Sequence, residues 1–183
     1  LRTDLENLES FYKDRGYLQF EIASSHVSIS DDLQELFITL VLNEGKRYKL
    51  NDIKISGELP LDREFLESFI NIQEDAFYSE ALITSYEEFY ANALGNDGYT
   101  FAEVEGVPTI DEENNSADIT FVFNPGRKNY ARRIIFNGNY FTTDEVLRRE
   151  MRQFEGAPAS NQLIEQSKLL LERTGFFLSL IHI

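Results

Sequence analysis

Residues Ile119 to Gly138 read ITFVFNPGRKNYARRIIFNG: an apolar run, a Pro-Gly break, and a second apolar run closed by Asn137-Gly138. Residues Ile38 to Gly57 read ITLVLNEGKRYKLNDIKISG, which follows the same pattern. Ile38 and Ile119, Gly45 and Gly126, and Gly57 and Gly138 are each 81 residues apart. A fixed period of this size over a shared pattern marks a tandem array of small modules. The 183-residue chain, 42% hydrophobic, has room for roughly two of them.

Working outward from the repeat gives the order of elements. Upstream, Leu1, Leu5, Leu8, Phe11 and Tyr12 form one apolar stripe, which predicts a helix over 1–12 stopped by Gly16. Leu18, Phe20 and Ile22 alternate with polar residues and predict a strand to about Val27. Ser30-Asp31-Asp32 turns it, and the dense apolar run from Phe37 to Leu42 predicts a second strand, central in its sheet. The middle segment is complete. It has a strand over 48–55 whose alternation slips between Leu50 and Ile53, then a helix from Arg63 to about Ile70 behind Asp62. A helix over about 79–94, a strand over about 100–107, a polar turn at 111–115 and a strand over 117–123 follow. The third segment restarts with a strand at Ile134-Ile135-Phe136, a helix opened by a Thr142/Glu145 capping box, and a helix near 160–173. Gly16-Tyr17, Gly98-Tyr99 and Gly175-Phe176 each follow the second helix of a segment. Gly98 and Gly175 are 77 residues apart, so the third segment has lost four residues between its helices or within the second one.

The predicted class is α+β: tandem β-α-α-β-β modules, each with a three-stranded mixed sheet and two helices on one face. The closing hairpin is antiparallel, and the first strand returns through the helix pair to lie parallel to the last. The last strand is then central. The strand after the Gly-aromatic pair lies at an edge, where its unpaired backbone groups can take an added peptide strand. On this reading 1–47 is the back half of a module, 48–128 a complete one, and 129–183 a truncated one.

The net charge of −15 excludes a nucleic-acid footprint, which needs a basic face. Charge is uneven, however. Arg127, Lys128, Arg132, Arg133, Arg148, Arg149 and Arg152 face only Asp144, Glu145 and Glu150 in the stretch from 127 to 152, which is net +4. No run of about 18 apolar residues is present to span a membrane, and no signal-peptide pattern opens the chain. With no cysteine there is no disulfide or thiolate chemistry. No Gly-x-Ser-x-Gly elbow, phosphate loop or metal-type His/Cys spacing occurs, so neither catalysis nor a cofactor or metal is expected.

With these elements in place, the chain resembles the POTRA (polypeptide-transport-associated) repeats of outer-membrane β-barrel assembly factors. The Gly-aromatic pairs and the first strands Tyr48–Gly57 and Tyr130–Gly138 carry the resemblance. Its most specific carrier is VLRREMRQFEGA, Val146 to Ala157, which looks like the first helix of the last repeat before the barrel. The match implies the end of a third repeat, a whole fourth and a truncated fifth. Leu178 to Ile183 (LSLIHI) departs from the polar, alternating strand the family has there. The resemblance implies a scaffold arm at the periplasmic face of the outer membrane of a Gram-negative bacterium, reaching the membrane through a barrel outside this chain. It implies binding of accessory lipoproteins at the end of the helix, through Arg152 and Glu155 with Arg148 and Arg149. It also implies addition of unfolded outer-membrane proteins to edge strands at Phe20, Ile22, Ala102 and Val104. The alternatives are the POTRA arm of a related outer-membrane transporter and an unrelated acidic protein-binding module.

Overall fold

The computed structural model of the chain describes residues 1–32, 34–71, 73, 76–140 and 142–175. The tail from Leu178 to Ile183, whose sequence departs from the family pattern, lies outside them. The elements run α1 (Arg2–Lys13), β1 (Glu21–Ile29), β2 (Leu36–Asn43), β3 (Lys49–Gly57), α2 (Arg63–Glu67), α3 (Glu80–Asn96), β4 (Glu103–Asp111), β5 (Ser116–Asn124), α4 (Asp144–Glu150) and α5 (Asn161–Arg173). Two compact units form. One comprises Leu1–Ser56, Glu67–Tyr86 and Glu105–Val122; the other comprises Gly57–Leu66, Glu87–Val104 and Phe123–Ile183.

In the first unit, β1 and β2 pair as an antiparallel ladder with an irregularity between Ile22 and Ser24. The expectation that Phe37–Leu42 is central in a sheet fails. Among the described residues β2 pairs only with β1, and Phe37, Ile38 and Val41 are exposed. An apolar run indicates two-sided burial only where layers exist to cover it, and none of the described elements does so. The second sheet has the order β3-β5-β4, with β5 central as expected. Ala117, Ile119 and Phe121 alternate inward along β5, and Leu50, Ile53 and Ile55 do so along β3, whose alternation slips at Asn51-Asp52. Tyr86 meets Phe121 ring to ring at 5.8 Å. On the outer face Asp118 accepts from Asn51 at 2.8 Å and Lys54 at 2.9 Å, and these two bonds, Asn51 first, hold its carboxyl below the usual range. The loop after α1 is tied to the start of the middle repeat. Tyr48 donates its N–H to the Gly16 carbonyl at 2.8 Å, and Asp14 Oδ1 accepts the Ala81 N–H at the start of α3.

In the second unit, Leu66, Tyr90, Leu94 and Phe123 are buried; the Tyr90 hydroxyl donates to the Leu66 carbonyl, and its ring lies 5.2 Å from that of Phe123. The loop after α3 repeats the earlier tie. Asn129 donates its N–H to the Gly98 carbonyl at 2.8 Å, and Asn96 Oδ1 accepts the Gln162 N–H at the start of α5. Lys128 adds an ion pair to Asp97 at 2.9 Å, which raises the lysine pKa.

Two expectations for the third repeat are corrected, and a third is narrowed to one of its two alternatives. The stretch 131–137 forms no strand; its pairing begins and ends with an antiparallel bridge between Tyr130 and Pro158, because no counterpart of β5 lies beside it among the described residues. The capping box does not close. Thr143 is the N-cap of α4 and makes no side-chain cap bond, while Asn139 ties Thr142 and Asp144 together instead. The four missing residues lie within the second helix, which has 13 residues in α5 against 17 in α3, a loss of about one turn.

Candidate partner-binding sites

The first candidate is the outer edge of β4. Its exposed face carries Glu103, Glu105, Val107 and Thr109, and among the described residues no strand or bridge pairs with that edge. Of the residues expected to take an added strand, Val104 lies on β4 and Ile22 on β1. The other two lie just before their strands. Phe20 is only 5% exposed and stacks on Tyr12 with ring centroids 4.1 Å apart, so it serves the core. Ala102 closes a turn by donating its N–H to the Tyr99 carbonyl.

The second candidate is the end of α4 and the turn after it. Its foundation is a short ladder that occurs in both repeats. In the middle repeat Tyr78 donates to the Tyr48 carbonyl and Leu50 to the Ala76 carbonyl. In the third, Ala159 donates to the Asn129 carbonyl and Ala131 to the Ala157 carbonyl, each residue 81 positions on. Beyond that point the two differ. Ile53 gives its N–H to the neighbouring Asp52 carboxylate at 2.9 Å. Its counterpart Ile134 gives its N–H to Glu155 Oε1 at 2.8 Å, and its carbonyl accepts from Arg148 at 3.0 Å. Arg148 also bonds Glu155 Oε1 at 3.1 Å. Two side chains thus supply the donor and acceptor that a neighbouring strand would supply to Ile134. The Ile134 N–H first, then Arg148, holds the Glu155 carboxyl below its ordinary range.

Gln153 anchors the turn. It is buried; its amide nitrogen donates to the carbonyls of Phe154 and Pro158, and its amide oxygen accepts the Ser160 N–H. Ser167 Oγ accepts the N–H groups of both Arg152 and Gln153. With Gln153 pinned inward, its neighbours Arg152 and Phe154 are exposed, Phe154 by 68%. Arg149 and Arg152 are exposed and make no ion pair among the described residues, Arg152 reaching only the carbonyls of Arg149 and Met151 at 3.4 Å. A cleft of about 500 Å³ lies nearby, lined by Arg133, Ile135, Asn137, Met151, Gln153 and Ile164. Sequence reasoning placed Arg148, Arg149, Arg152 and Glu155 at this site and the structure gathers all four, but it divides them between a clamp and an exposed rim. The same reasoning missed Gln153, Ser167 and Phe154, and nothing in their spacing marks them.

The sheet order, the two-helix crossover and the repeat define a tandem α+β interaction module, and the family model for POTRA, described as surface antigen variable number repeat, matches residues 48–126 and 130–182. The chain belongs to the POTRA family. Within it, the chain is 32% identical over 97% of its length to the outer membrane protein assembly factor BamA of Buchnera aphidicola, and 30% identical over 95% to that of Neisseria meningitidis. It spans 29% and 22% of those relatives' lengths. The crystal structure of Haemophilus influenzae BamA POTRA3-5 superposes with a TM-score of 0.80 at 33% identity, covering 97% of this chain and 70% of that one. The repeats it resembles therefore lie within POTRA3-5 of that BamA. Among the described residues no helix is long and apolar enough to cross a membrane.

Proposed function

We propose that the chain is part of a periplasmic arm of the outer-membrane β-barrel assembly machinery. Its segments 1–47, 48–128 and 129–183 act as the end of a third, a whole fourth and part of a fifth POTRA repeat. The arm gathers two kinds of partner: extended segments of unfolded outer-membrane proteins at the β4 edge, and an accessory lipoprotein at the rim after α4. The observation that carries the reading is the sheet order β3-β5-β4, which leaves β4 at an edge in a chain similar to BamA over almost its whole length.

Pro108 lies within β4 and has no N–H to give β5, so its backbone faces outward. Val104 has the same parity and also presents its backbone outward. The test is Val104→Pro. It removes an outward donor without removing a bond to β5, and should abolish binding of a ten-residue alternating apolar-polar peptide in fluorescence anisotropy while the melting temperature holds. Peptide binding that survives this change rules out strand addition at β4.

A further inference from the structure

Two joints link successive repeats, and each lays a cationic side chain over a glycine. Tyr48 and Asn129 donate their N–H groups to the carbonyls of Gly16 and Gly98. The residue before each donor, Arg47 or Lys128, runs its stem across that glycine. A Cβ on Gly16 would lie 3.1 Å from Arg47 Cγ, and one on Gly98 would lie 3.0 Å from Lys128 Cγ. The backbones match and the charges do not. At the second joint Lys128 reaches the carboxylate of Asp97, the residue before Gly98, at 2.9 Å. At the first joint the residue before the glycine is Arg15. There a cation meets a cation, and the acid that completes the second joint has no equivalent. We infer that Arg15 and Arg47 form a carboxylate-binding site at the first joint, which takes an Asp or Glu side chain from a short acidic segment of a partner protein. The site is separate from the β4 edge and from the rim after α4, and rests on neither.

Both guanidinium groups are held in place. Arg15 donates from Nη1 to the Phe11 carbonyl at 2.8 Å and lies over the Phe11 ring, 3.5 Å from its centroid. Arg47 donates from Nε to the Arg15 carbonyl at 2.6 Å and lies over the Phe77 ring at 3.4 Å. Neither ring has a counterpart at the second joint, where the equivalent residues are Ala93 and Pro158. Stacking on a ring occupies the flat face of a guanidinium and leaves its N–H edge, the part that grips a carboxylate with two parallel bonds. Among the described residues neither arginine has a carboxylate partner, and the acids tied to the three residues before Arg15 are engaged otherwise. Glu44 accepts from the Tyr12 hydroxyl, Glu80 pairs with Lys13, and Asp14 accepts the Ala81 N–H. Both arginines are exposed, and their ring supports Phe11 and Phe77 are partly so. Side chains fixed in this way lose little freedom on binding, which favours affinity.

The occupant follows from the second joint and from charge. Asp97 shows which group satisfies a cation laid across this glycine: a carboxylate. A chain of net −15 repels an extended anionic surface, whether a bilayer or a polyacid. The fit is therefore one or two carboxylates flanked by apolar side chains that cover Phe11 and Phe77.

The test titrates the blocked peptide acetyl-Leu-Glu-Glu-Leu-amide into the isotope-labelled chain at low salt and follows the Nε–H signals of Arg15 and Arg47. Both should shift and saturate together, and acetyl-Leu-Gln-Gln-Leu-amide should move neither. Arg15→Gln and Arg47→Gln should each weaken binding about tenfold, the scale of a charged hydrogen bond. Arg47→Lys, which keeps the charge and loses the fork, should weaken it by a smaller factor. The two peptides are compared on the intact chain, so the central result does not depend on a variant folding. Equal shifts with both peptides, no saturable shift in the intact chain, or binding that both Arg→Gln changes leave intact overturns the site. Displacement of the peptide by inorganic phosphate or by phosphatidylglycerol vesicles at lower concentration than by free peptide also overturns it, in favour of a phosphate or a lipid headgroup.

Discussion

The middle and third repeats begin with the same hydrogen bonds and end in different states. Tyr48 and Leu50 are tied to 76–78 as Asn129 and Ala131 are tied to 157–159. Yet Leu50, Ile53 and Ile55 are buried, while their counterparts Ala131, Ile134 and Phe136 are half-exposed, and Ile135 is 68% exposed. The difference is β5. In the middle repeat the central strand lays Ile119 and Phe121 against the inner face of the sheet; the third has no such strand among the described residues. The first strand of a repeat is thus specified locally along one edge, and becomes core only when a partner strand about 65 residues further on closes the other.

The largest test of this contrast is Phe121→Ala against Ile135→Ala. Phe121 is fully buried, and its truncation should cost about 3–5 kcal/mol in denaturant unfolding. Ile135→Ala should change stability by no more than about 0.5 kcal/mol. Equal costs would mean that the third repeat is as tightly packed as the middle one.

A smaller effect is expected at one repeat position in two settings. Gly57 and Gly138 are 81 residues apart and both have left-handed backbones, with φ of +97° and +84°. A methyl group on Gly57 would lie 2.8 Å from the Phe123 backbone nitrogen, whereas one on Gly138 meets nothing within 4 Å. Gly138→Ala should therefore cost about 1 kcal/mol from backbone strain alone, and Gly57→Ala at least about twice that, because a central strand blocks it. Thermal melts of the two variants decide it, and the idea fails if Gly138→Ala is the worse.

Smaller again is the tie between repeats, which the two joints share. Asp14 and Asn96 each lie two residues before the Gly-aromatic pair and accept an N–H at the start of the following second helix, from Ala81 and Gln162. Either residue changed to Ala should cost about 1 kcal/mol, the usual loss for a helix N-terminal acceptor. A clear effect at one joint and none at the other would show that the shared geometry hides unequal strength.

How much of this was legible follows from range. The repeat, the β3-β5-β4 order and both long second helices were readable because alternation, helical stripes and the 81-residue period are local or self-referential. The exposure of Phe37 and Ile38 was not, since an apolar run carries no record of whether a covering layer is present. Phe20 was placed on a strand by its alternation with Gln19 and Glu21, and was drawn instead into the aromatic pair with Tyr12. At the rim, the charges of Arg148 and Glu155 stood out, but their inward direction depends on Ile134, whose backbone groups no sequence pattern displays.

The finest prediction concerns that direction, and it is read from pH. Because the Ile134 N–H, and after it Arg148, favours the ionised Glu155, the folded-state pKa lies below the unfolded value of about 4.3. A depressed carboxylate contributes stability that is fully present above the unfolded value and is lost as pH falls through the folded one. The Ile134 amide proton should therefore shift in acid, with a midpoint below the ordinary glutamate range, and the shift should vanish in Glu155→Gln. The amides of Leu50 and Ala131 bond to backbone carbonyls, which do not titrate, so those two should stay flat over the same range. A flat Ile134 would leave the backbone bonds to 156–159 and the Arg148 bond to the Ile134 carbonyl holding this segment, and Glu155 would then be free to face a partner directly.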